Sequence, residues 1–254
     1  MRIDSAVGLV DRSRFPGAPF GRDFSADNLR TILVRNRFEG AILFQTLGGE
    51  DEARWLLEVA GEAPWVAAVV LDEGVTASGG AVRGRRLEAG ADLPRRAAEV
   101  LARGETCVVR FRPGAAREMG ELPPGPVVVE ALGWPGFGGE AEFRGWCAEI
   151  EILAERPETA IGVSNLIDGA GAGRWDATTY RPWVQFALDR FGEDRLLFGS
   201  GWPRCSAGGT WKESLAAFTQ ALGAQTMETR EKILGGNAVR QFGLRAAATL
   251  AAAR

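Results

Sequence analysis

The feature that most limits how this 254-residue chain can fold is a repeated alternation along its length. Short runs rich in β-branched residues are followed by segments of Ala, Leu, Glu and Arg whose apolar positions recur at helical spacing. Eight such runs can be read, at residues 2–7, 40–45, 65–71, 81–87, 107–112, 127–132, 159–164 and 196–200. Strands separated by helices pair in parallel, because each crossover returns the chain to the same end of the sheet and covers its faces. Eight of them predict an α/β fold of the closed (β/α)8 TIM barrel type, which commonly takes about 250 residues as one domain. No segment reads as a linker, so residues 1–254 form a single predicted domain, with 245–254 as a weak terminal helix or frayed tail.

Local signals agree with that frame. Ser25 is a plausible N-cap for a helix carrying Leu29, Ile32 and Leu33 on one face. Glu50, Asp51 and Glu52 place negative charge on the first turn of another, whose buried face is read as Trp55, Leu56, Val59 and Ala60. Residues 227–233 are predicted helical, with Gly235 and Gly236 as the stop. Residues 76–80 and 122–126 are predicted loops.

Composition then restricts the chemistry. The chain contains no histidine, which excludes a Ser-His-Asp triad, a Cys-His pair and a His-liganded zinc site. A net charge of −3 argues against a nucleic-acid surface. The first ten residues lack the pattern of a signal peptide, and no apolar run is long enough to span a membrane. Cys107, Cys147 and Cys205 have no metal-type spacing and read as reduced thiols, so a cytoplasmic location is expected.

The segments LFQTLGGEDEARWLLEVA at 43–60, VVVEALGWP at 127–135, YRPWVQFALDRFGEDRLLFGSGWPRC at 180–205 and ILGGNAVRQFGL at 233–244 together resemble the amidohydrolase-related family of metal-dependent hydrolases, in particular its sugar-lactonase-like branch. The resemblance implies a metal-binding barrel, yet the positions it assigns to the chemistry have changed. Where the family reads Asp-x-His-x-His, this chain has Asp4, Ala6 and Gly8. Where it reads Arg-Gly-x-Arg-His, the chain has Arg83, Gly84, Arg85, Arg86 and Leu87. Ala131 stands where the sixth strand ordinarily carries histidine, and Gly201 where the eighth carries the aspartate that binds metal or handles the proton of the attacking water. Loss of a metal-activated water is the expectation, and no cofactor is called for.

In a barrel of this type the reacting groups sit at the C-terminal ends of the strands. Asp4 and Glu130 are candidate acid and base there, although each could equally serve structure by bonding loop backbone or a neighbouring arginine. Arg83, Arg86, Arg110 and Arg112 are candidates for gripping a carboxylate or phosphate, with snorkelling or neutralisation of Glu130 as the alternative. Gln45, Ser164, Trp134 and Trp202 complete the candidate binding set, Trp134 as a stacking surface and Trp202 also as a scaffold residue. Small residues at 6, 8, 131 and 201 predict a roomier and drier cavity. The expected function is that of a pseudoenzyme or binding protein for a small, partly apolar molecule with an anionic group. Metal-independent catalysis, a homo-oligomer, and a structural partnership with an active paralogue stay open.

Overall fold

The computed structural model describes residues 1–111, 114–119 and 121–244. Arg112 and the 245–254 tail, both given roles above, lie outside the described residues.

All eight expected strands form. They are β1 (Ile3–Val7), β2 (Gly40–Phe44), β3 (Val66–Asp72), β4 (Val82–Glu88), β5 (Thr106–Arg110), β6 (Val127–Val129), β7 (Thr159–Val163) and β8 (Leu196–Phe198). They pair in parallel in sequential order. Past the end of β8 the sheet meets β1 through a parallel bridge of Val7 with Trp202, supported by Gly8 N–H donating to the Trp202 carbonyl at 2.6 Å and Gly201 N–H to that of Ala6 at 3.0 Å. Eight parallel strands brought together in this way make a single (β/α)8 barrel.

Two apolar layers hold it. Ile42, Phe44, Val70, Val108, Val128 and Leu197 fill the barrel interior together with Ile3 and Phe242. A larger cluster lies between strands and helices, joining Leu43, Leu71, Val109 and Ile161 to Leu56, Trp146, Trp183 and Phe218. Adjacent strand residues divide between the two layers, as period-two alternation requires.

Helices α1 (Ala26–Arg35), α2 (Gly49–Glu62), α3 (Leu93–Ala102), α4 (Ala116–Met119), α5 (Glu140–Ala154), α6 (Ala177–Phe191) and α7 (Trp211–Leu222) cover the sheet. Ser25 caps α1 as expected, in a reciprocal pair with Asn28. No helix intervenes between β3 and β4. Arg85 organises the connection instead, donating to the Val75 and Ala77 carbonyls at 2.8 and 2.7 Å and pairing with Glu105.

In the C-terminal segment α8 (Met227–Glu231) runs into a wide turn at 232–236 where Gly235, at φ 175°, leaves the helical path as expected of a stop; Gly236 is already helical, and the chain resumes as α9 (Asn237–Gln241). A Cβ on Gly235 would overlap the backbone of Met1, Arg2 and Ile3, so this glycine permits the chain to lie directly on β1. Asn237 then donates to the carbonyls of Glu193 and Leu196, fixing the entry to β8. Among the described residues no helix is long and apolar enough to cross a membrane.

Candidate binding site

A cavity of about 80 Å³ opens at the C-terminal ends of the strands. Its walls come from the ends of seven strands: Ala6 to Gly8, Phe44 to Thr46, Arg86, Arg110, Glu130 with Trp134, Ser164 with Asn165, and Gly201 to Arg204.

Charge is arranged around it in alternation. Arg86 binds Asp72 through Nε at 2.7 Å and the Gln45 carbonyl through Nη2 at 2.9 Å. Its Nη1 stands 3.7 Å from Glu130 Oε1. Arg110 pairs with Glu88 at 2.8 Å, and its Nε lies 3.6 Å from Glu130 Oε2. Glu130 therefore sits between two guanidinium groups without a short hydrogen bond to either, at 11% side-chain exposure. Arg86 and Arg110 are committed to three carboxylates, Asp72, Glu88 and Glu130, of which Glu130 lines the cavity.

Immediately after Glu130 the backbone turns left-handed through four residues, Ala131 to Trp134, with φ between 50 and 73°. Three of them carry side chains, a conformation that costs roughly 1–2 kcal/mol per residue. This turn cuts β6 short of residue 132, the end expected from its apolar run. It also carries Glu130 and Trp134 to the same cavity. A 2.7 Å bond from Trp146 Nε1 to the Leu132 carbonyl anchors it.

The expectation of a roomier, drier cavity is overturned by what fills it. A Cβ on Gly8 would overlap the Thr46 hydroxyl, and one on Gly201 would overlap Asn165 Oδ1 and approach the Asn165 backbone. Two of the positions that the resemblance assigns to metal chemistry are thus closed by neighbouring side chains. Leu87 is buried in the strand–helix layer, and Ala131 belongs to the left-handed turn rather than the cavity wall. No group of three or more His, Cys, Asp or Glu suited to a metal ion occurs among the described residues. The donor set does not fit a divalent metal.

The predicted residues separate clearly. Arg86, Arg110, Glu130, Gln45, Trp134, Ser164 and Trp202 line the cavity together. Gln45 spends its side chain on backbone, accepting from Asp72 N–H at 2.6 Å and donating to the Gly49 carbonyl at 2.9 Å. Arg83 is elsewhere, half-buried and bonded to the carbonyl of Val82. Asp4 faces away from the cavity. It is fully buried and accepts from Ser200 N–H at 2.8 Å and Trp211 Nε1 at 2.7 Å, which ties β1 to the β8 turn and α7. Burial pushes its carboxyl up to about 6, against those hydrogen bonds, which pull the other way. Cys205 is buried and its thiol is pushed up by burial, which suits a structural rather than a reactive thiol.

Thr46, Asn165 and Arg204 were not among the sequence candidates. Each lies one or two residues beyond a candidate (Gln45, Ser164 or Trp202), and scanning further into the loops would have reached them. Arg204 lies with its guanidinium carbon 5.6 Å from the Trp134 ring centre and its Nε 3.3 Å from Asp168 Oδ2. Asp168 is pushed up to about 6, chiefly by burial and against the attraction of Arg204.

Four buried polar atoms of the lining residues have no hydrogen-bond partner: Arg110 Nε, Glu130 Oε2, Trp134 Nε1 and Asn165 Oδ1. Leaving such an atom unpaired costs about 1–3 kcal/mol. Two donors and two acceptors of this kind around one small space make a surface prepared for a polar guest.

Comparisons with known proteins agree with the barrel. The model of a family described as amidohydrolase matches residues 42–244. L-fucono-1,5-lactonase from Burkholderia ambifaria is 26% identical over 251 residues, covering 85% of this chain and 84% of that protein. A shorter match, 37% identical over 65 residues, links the chain to the uncharacterised protein y4mH of Sinorhizobium fredii and spans 26% of this chain and 21% of that one. Among solved structures, an amidohydrolase from Burkholderia multivorans with bound zinc superposes with a TM-score of 0.83 at 24% identity, covering 96% of this chain and all of that one.

Proposed function

The chain belongs to the amidohydrolase family, and from that premise we propose that it is a metal-independent member whose barrel mouth binds a small hydroxylated molecule of the lactone or hydroxy-acid class. The observation that carries this reading is the set of buried polar atoms around one cavity that make no hydrogen bond: Trp134 Nε1 and Asn165 Oδ1, together with Arg110 Nε and Glu130 Oε2, which face each other only as a 3.6 Å ion pair. Hydroxyl groups can donate to the two acceptors, and a ring, carbonyl or carboxyl oxygen can accept from the two donors. Relatives named as lactonases support the ligand class. Closure of positions 8 and 201 by Thr46 and Asn165 supports binding without metal.

Calorimetric titration of chelator-treated protein with freshly dissolved L-fucono-1,5-lactone tests the reading. Binding should persist after chelation and weaken roughly 5- to 10-fold in Trp134→Phe, which keeps the ring and loses one donor. One tightly held divalent ion per purified chain, or binding that requires added zinc, would overturn it.

A second reading is metal-independent catalysis. Glu130 Oε2 makes no hydrogen bond, and the Glu130 carboxylate lies between two guanidinium groups suited to stabilising developing negative charge. Glu130 would then be the acid or base, with Asp4 confined to a structural part. Chelator-resistant turnover of the lactone that disappears in Glu130→Gln is the result this reading requires.

A further inference from the structure

Resting on the cavity as a binding site, we propose that Arg204 is a carboxylate seat at its rim, so that the preferred ligand is a small hydroxy acid with its carboxylate on Arg204 and its hydroxyls directed inward.

Three guanidinium groups line the cavity, and they differ in what they have left to offer. Arg86 engages Asp72 and the Gln45 carbonyl, stands against Glu130, and is 11% exposed. Arg110 is paired with Glu88 and directed at Glu130. Arg204 makes a single 3.3 Å contact, through Nε, to Asp168. Among the described residues no acceptor meets its Nη1 or Nη2, and its side chain is 58% exposed. The Trp134 ring, 5.6 Å away, supports the guanidinium from one side, so the group is oriented and still solvent-accessible.

With Nε turned to Asp168, the two terminal nitrogens remain as a parallel donor pair, the geometry that takes both oxygens of a carboxylate. Farther in, Asn165 Oδ1 makes no hydrogen bond, and Glu130 Oε2 has only its 3.6 Å ion pair with Arg110, so both can accept from hydroxyl donors. A closed lactone satisfies the inner acceptors alone. The ring-opened acid satisfies them and the rim, which makes it the better ligand.

The test is calorimetry at pH 7 with the sodium salt of the acid formed by opening L-fucono-1,5-lactone, run beside the lactone itself. Arg204→Gln should weaken acid binding by roughly 10- to 100-fold, the loss expected for a charge-assisted pair, and change lactone binding less than 2-fold. Arg204→Lys should fall between, since an ammonium cannot grip both oxygens. Circular dichroism should show all three proteins equally folded, because Arg204 is mostly exposed. Equal acid affinity in wild type and Arg204→Gln, or a wild type that takes the lactone and refuses the acid, overturns the carboxylate seat while leaving the cavity reading intact. A wild type that binds neither overturns the cavity reading, and the seat with it.

Discussion

The side-chain oxygen of Asn165 occupies the space that any β-carbon on Gly201 would need. Both residues are at positive φ, 59° for Asn165 and 70° for Gly201, so the two turns after β7 and β8 are shaped to each other. Substitution at 201 is therefore doubly opposed. Gly201→Asp should lose about 2–4 kcal/mol, combining the left-handed penalty with overpacking. It should also take up no zinc. Urea unfolding and elemental analysis check this, and adding Asn165→Gly should recover part of the stability by clearing the overlap.

Asp4 and Trp211 give a stability prediction with a defined sign. Trp211→Phe leaves a buried carboxylate oxygen unpaired and should cost about 1–3 kcal/mol. Because burial lifts the folded-state Asp4 carboxyl to about 6, above its ordinary 3.8, the folded protein holds this proton more tightly than the unfolded chain. The contribution of Asp4 to stability is thus fullest below about pH 4 and is lost as pH rises through 6. Denaturant titrations of wild type and Asp4→Asn should show the difference between them shifting against the wild type across that window. A pH-independent difference would remove Asp4 as its source.

Arg85 holds the β3–β4 connection where the barrel lacks a helix. Its side chain is 5% exposed and engages the carboxylate of Glu105 and two loop carbonyls. Arg85→Met should cost about 3–5 kcal/mol, because Glu105, the Val75 carbonyl and the Ala77 carbonyl lose their shared donor. Limited proteolysis should then cut first between residues 74 and 80.

Acid binding should tighten as pH falls from 7.5 to 5. Asp168 is pushed up to about 6 chiefly by burial, so within this range it loses the charge that competes for Arg204. Burial first, and Asp168 after it, hold the nearby Cys205 thiol above its ordinary value. Burial, Asp176 and Asp168 do the same for the Tyr180 phenol. Both stay neutral over this range and add no titration of their own. Calorimetry across pH should show the trend in wild type, and Asp168→Asn should flatten it while matching the low-pH affinity at pH 7.5.

The architecture was legible because it depends on local pattern. Runs such as Val127 to Val129 and Thr159 to Val163 carry the β-branched residues that a doubly covered parallel strand requires. Helix signals were readable wherever a cap is built from neighbours, as with Ser25 and Asn28. Gly235 was legible as a break in the helix but not as the point of close approach to β1, which is more than 200 residues away in sequence and is reported by nothing adjacent to it. Arg83 and Asp4 misled because adjacency to a strand end says nothing about which way the side chain faces or what has already claimed it.

What the sequence by itself determined is the barrel, its strand order, and the absence of any imidazole with which to hold a metal. Those follow from composition and from periodicity along the chain. Only the tertiary structure decided what the altered positions became. Whether glycine at 8 and 201 leaves a void depends on Thr46 and Asn165, which arrive from β2 and β7. Whether an arginine is free to meet a ligand depends on carboxylates from other strands, which engage Arg86 and Arg110 on more than one side and leave the terminal nitrogens of Arg204 open. Space and charge compensation are properties of neighbours in three dimensions, and in a parallel barrel those neighbours come from separate strands and the loops that follow them.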